Sequence, residues 1–105
     1  MTCDQPPMDY YLAEVFTPAA EPQQFGHVAR VETAAEGLRE RGVQIRRLYS
    51  IFVAEEEITL HMFASESPDD VARALSDAGF EAERISQARA HAGSQLPPTA
   101  VATGR

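Results

Sequence analysis

"EEEITLHMFAS", residues 55–65, decides how the chain is read. After the three glutamates, Ile58, Leu60, Met62 and Ala64 alternate with Thr59, His61, Phe63 and Ser65, the period of two that marks a β-strand. Just upstream, "VQIRRLYSIFV" (43–53) is β-branched and aromatic and reads as a second strand, joined through the acidic turn at Ala54–Glu56. A tight turn at Glu55-Glu56 pairs Val53 with Ile58, Ile51 with Leu60 and Tyr49 with Met62. That set is apolar and is expected beneath helices. The opposite face then carries Phe52 beside Thr59, Ser50 beside His61 and Leu48 beside Phe63. A slip of one residue would exchange the two faces.

Working outward, "MDYYLAEVF" (8–16), bounded by Pro18, suits a first strand. Phe25, Val28, Val31, Ala35 and Leu38 recur at helical spacing and predict an amphipathic helix over 22–41, closed by Gly42. "SPDDVARALSDAGF" (67–80) carries a full helix signature: Ser67 to cap, Pro68 in the first turn, Val71, Ala74, Leu75 and Ala78 as the buried stripe, and Gly79 to end it. "AERISQARA" (82–90) is a weaker last strand. The order βαββαβ predicts an α+β, ferredoxin-like fold, a four-stranded antiparallel sheet with two helices on one face. One domain spans 8–91. Residues 1–7 and 92–105 lack periodic apolar positions and are expected to be a flexible leader and tail.

The composition narrows the partners. With 16 acidic against 9 basic residues the net charge is −7, so the phosphate backbone of nucleic acid is a poor match. No apolar run is long enough to cross a bilayer, and the start lacks the pattern of a secretion signal. Cys3 is the single cysteine, which excludes an internal disulfide and fits a cytoplasmic protein.

On the face opposite the helices, Leu48, Phe52 and Phe63 call for cover, and the first strand is expected to add Tyr10, Leu12, Glu14 and Phe16. A homodimer pairing two sheets would supply that cover. His61 then lines an inter-sheet space with Glu14 and Ser50 as neighbours, where imidazole and carboxylate offer either two metal donors or an acid–base pair. A buried histidine satisfied by a hydrogen bond is the plainer alternative, with Ser50 as its partner rather than a nucleophile. The run Glu55-Glu56-Glu57 reads as a solvated hairpin tip, and neither His27 nor His91 has a histidine partner at helical spacing.

Over about residues 10–90 the chain resembles the nickel-responsive, nickel-binding small proteins that form ferredoxin-like dimers of the α/β-barrel kind. The resemblance is carried by "YLAE" (11–14), "RGV" (41–43) with Tyr49, His61-x-Phe63, and "DAGFEAERI" (77–85). His61 stands where that family often has cysteine, and Ala64 where it has glutamate. The resemblance implies a cytoplasmic, non-enzymatic homodimer that binds nickel or another divalent transition metal with no organic cofactor; the metal donors that the strand faces themselves offer are His61 and Glu14. The alternatives are a small cofactor-free enzyme of oxygenase or isomerase type, with His61 as general base oriented by Glu14, and a regulatory module holding a small ligand against Tyr10, Ser50 and Phe63.

Overall fold

The computed structural model describes residues 8–18 and 24–89, with the side chains of 24 and 25 left aside. The elements run β1 (Asp9–Phe16), α1 (Gln24–Glu40), β2 (Ile45–Val53), β3 (Ile58–Ser65), α2 (Pro68–Asp77) and β4 (Arg84–Ala88). The sheet is antiparallel in the order β2-β3-β1-β4, the ferredoxin-like α+β arrangement. It is open, with β2 and β4 as its edges, so one chain makes no barrel. The expected leader and tail, Cys3 and His91 lie outside the described residues.

The helices end as their local sequence dictates. Ser67 caps α2 by accepting the Asp70 N–H at 3.2 Å, with Pro68 in the first turn. Gly79 follows at φ +93° and Gly42 follows α1 at φ +92°, the left-handed conformation that lets the next N–H turn back. Those bonds run from Phe80 to the Leu75 carbonyl (2.8 Å) and from Val43 to the Leu38 carbonyl (3.0 Å). The core lies between helices and sheet: Val31, Ala35 and Leu38 of α1, Val71, Ala74 and Leu75 of α2, and Tyr11, Ala13 and Val15 of β1.

The β2–β3 pairing is as expected, with Val53 opposite Ile58, Ile51 opposite Leu60 and Tyr49 opposite Met62. The faces are exchanged. Thr59, His61, Phe63 and Ser65 are buried on the helix side, since His61 pairs with Ala13 and Phe63 with Tyr11 of the core. Ile58, Leu60 and Met62 share the outer face with Tyr10, Leu12, Glu14 and Phe16, the β1 set expected there. The apolar side of β3 therefore points away from the helices. Polar residues can take the inner side because each finds a partner there: Thr59 and Thr17 share a hydrogen bond of 2.8 Å, and Ser65 donates to the Ser67 carbonyl at 3.0 Å.

A second departure lies in β2. Arg47 stands opposite Phe63 and Tyr49 opposite Met62, leaving Leu48 as an extra residue in a β-bulge. Leu48 is accordingly exposed rather than paired with Phe63.

Candidate functional site

His61 sits at the centre of β3, fully buried, and its two ring nitrogens each have a partner. Nδ1 lies 2.7 Å from the Ser50 hydroxyl across the strand pair. Nε2 lies 2.9 Å from Nε2 of His27 in the first turns of α1. The ring centroids are 5.0 Å apart and the planes differ by 13°. With the nitrogens so much closer than the centroids, the rings meet edge to edge and nearly in one plane, which is the geometry of an N–H···N hydrogen bond.

The bulge extends this pair into a chain. In a regular strand Arg47 and Ser50, three residues apart, would face opposite ways. The extra residue at Leu48 returns Arg47 to the helix side, where its Nη1 donates to Ser50 Oγ at 3.0 Å. Its Nε donates to Glu32 on α1 at 2.7 Å. Glu32, Arg47, Ser50, His61 and His27 thus form one hydrogen-bonded path that leaves α1, crosses β2 and β3, and comes back to α1.

His27 is held from the other side by Phe80, whose ring lies 4.0 Å away and nearly parallel. The Arg30 guanidinium lies 4.6 Å from the centre of the same ring and donates to the Ala78 carbonyl at 2.9 Å. Burial, reinforced by the charges of His27 and Arg47, pushes the His61 pKa down to about 3. Burial and then the Arg30 charge lower that of His27 as well. Both rings are neutral at pH 7, the form in which imidazole can coordinate a metal or accept a proton.

The expected site residues do not converge. Ser50, His61 and Phe63 share the inner face, and Ser50 is indeed the partner of His61. Tyr10 and Glu14 lie on the outer face, and Glu14 pairs with Arg84 at 3.5 Å. Because alternate residues point to opposite sides of a sheet, Glu14 and His61 cannot reach one ion or act as one acid–base pair within a chain. Phe63 packs in the core beneath the helices. Phe52, opposite Thr59, also belongs to the inner face, so Leu48, Phe52 and Phe63 do not form the outer patch expected of them. His27 was the residue missed. Among the described side chains of α1 the buried positions are 27, 31, 35 and 38, so its spacing to Val31 puts it on the core stripe.

Metal–imidazole bonds of about 2.0–2.1 Å bring two ligands of one ion to a separation of about 3 Å, which His27 and His61 match. Their in-line approach is that of a hydrogen bond, so both rings would have to swing for their lone pairs to converge. Among the described residues no group of three His, Cys, Asp or Glu side chains is placed to hold a metal.

No family model and no curated sequence matches the chain. Among solved structures, SCO4226 from Streptomyces coelicolor A3(2) superposes with a TM-score of 0.62 at 13% identity, over 79% of this chain and 99% of that one. At that identity the likeness concerns the fold alone. No helix among the described residues is long and apolar enough to cross a membrane.

Proposed function

We propose that the chain is a homodimeric metal-binding protein in which His27 and His61 supply two imidazole ligands to a divalent ion of the nickel type. The observation that carries this reading is the 2.9 Å approach of two buried Nε2 atoms, both on rings that burial keeps neutral. Neutral imidazole suits Ni²⁺, and a ligand whose second nitrogen is tied to a neighbour, as His61 is to Ser50, is the usual arrangement around a bound metal. The remaining coordination would come from water. For the dimer, the support is an outer sheet face on which Phe16, Tyr49 and Ile51 are each half exposed beside Tyr10, Leu12, Leu60 and Met62.

Calorimetric titration with Ni²⁺ tests the metal. Wild type should bind, His27→Gln and His61→Gln should lose binding while keeping their circular dichroism, and Glu14→Gln should bind as wild type does. Wild type that takes up no Ni²⁺, or His27→Gln that binds undiminished, removes the reading. A cofactor-free enzyme using the imidazole pair for acid–base work is the second reading. The lack of a third metal donor grouped with the pair among the described residues favours it.

A further inference from the structure

We infer that Ser50 is a positioning residue that fixes which nitrogen of His61 carries the proton, and that Arg47 makes this possible by taking away the hydroxyl's other direction. Arginine has no acceptor, so its Nη1 must be the donor in the 3.0 Å bond to Ser50 Oγ. Among the described residues the only other side-chain partner of that hydroxyl is His61 Nδ1, at 2.7 Å. Ser50 satisfies its own proton by donating it there.

A neutral imidazole has one donor and one acceptor nitrogen. His61, accepting at Nδ1, carries its proton on Nε2 and donates it to Nε2 of His27. His27, accepting at Nε2, carries its own proton on Nδ1. The reverse assignment would leave the Ser50 hydroxyl, which is part-buried, accepting two bonds and donating to no described group. The path therefore has one polarity, from Arg47 through Ser50 and His61 to His27.

This bears on the metal reading, and the following step rests on it. An ion needs the lone pairs of both Nε2 atoms, and in the resting pair one of them is occupied by a proton. For binding, the Nε2–H bond of His61 breaks and an Nδ1–H bond forms, with no change in proton count or charge. Ser50 then turns from donor to acceptor, which a hydroxyl can do and a guanidinium cannot. It is the one member of the path between Glu32 and the imidazoles able to serve both states.

Long-range ¹H–¹⁵N correlation spectra of histidine-labelled protein, free of metal at neutral pH, read the tautomers directly. His61 should show an unprotonated Nδ1 and a protonated Nε2, and His27 the converse. In Ser50→Ala and in Arg47→Ala, His61 should become a mixture of tautomers, and Ser50→Thr should restore the single one. A His61 protonated at Nδ1 in wild type, or one whose tautomer is unmoved in Ser50→Ala, overturns the inference. Adding Ni²⁺ to wild type should convert His61 to the Nδ1–H form. If the resting tautomers are as stated and Ni²⁺ changes nothing, the role of Ser50 stands and the metal reading falls.

Discussion

At the residue scale, the burial of His61 makes stability depend on pH. Its pKa is held at about 3 in the folded chain against about 6.5 when exposed. Between those values the unfolded chain binds the extra proton and the folded chain does not. Stability therefore rises with pH through this window and is lost as pH falls below about 6.5. Lowering the pH from 7 to 5 should destabilise the fold by about 2 kcal/mol, on the order of 1.4 kcal/mol for each unit below the unfolded pKa. The lowered pKa of His27 acts in the same direction. Thermal unfolding across pH 5–7 measures the effect, above the range in which most carboxylates titrate. His61→Gln, which has nothing to protonate, should flatten the curve; an equal slope in that variant would assign the effect elsewhere.

At the scale of elements, the bulge in β2 and the glycine after α2 each hold a specific contact. Leu48 is the extra residue between two pairs that otherwise continue the ladder. Deleting it should close the ladder and leave Ser50 opposite His61, with little change in melting temperature. Deleting Phe52 instead would slide Ser50 to the outer face, so that variant should unfold at markedly lower temperature and lose the His61 tautomer signature. Equal tolerance of both deletions would contradict this account of the strand. Gly79, at φ +93°, has the Arg30 guanidinium 2.8 Å from where a Cβ would sit. Gly79→Ala should cost about 1–2 kcal/mol from the left-handed backbone, read by urea unfolding. Arg30→Ala in the same background should leave most of that loss in place, because the backbone and not the contact is the larger part.

At the scale of the whole molecule, the sheet turns its more apolar side away from its own helices. Along β3 the helices cover two hydroxyls, an imidazole and one phenylalanine, while Ile58, Leu60 and Met62 face outward. That distribution is what a second layer would explain, and a second copy supplies one by C2 symmetry. Sedimentation should show a dimer for wild type and a folded monomer for Ile51→Glu, since Ile51 is half exposed on that face. A wild-type chain that remains monomeric at every concentration would leave the patch without this explanation.

The sequence by itself determined the elements, their order and the strand pairing. Period-two and helical spacings are local and strong, and Ser67, Pro68, Gly42 and Gly79 mark helix ends by backbone requirements that hold in any context. The contact of Ser50 with His61 was legible for the same reason, because it follows from pairing alone. Which side of the sheet the helices cover was not. An alternation of Ile58, Leu60 and Met62 with Thr59, His61 and Phe63 has two sides able to be buried, and apolar content favoured the wrong one. The choice was made by partners distant in sequence, Thr17 for Thr59 and His27 for His61. The bulge at Leu48, which carries Arg47 to Ser50, leaves no mark in the spacing. Tertiary structure decided the site because a buried polar side chain is settled by the group that satisfies it, and here that group comes from another element.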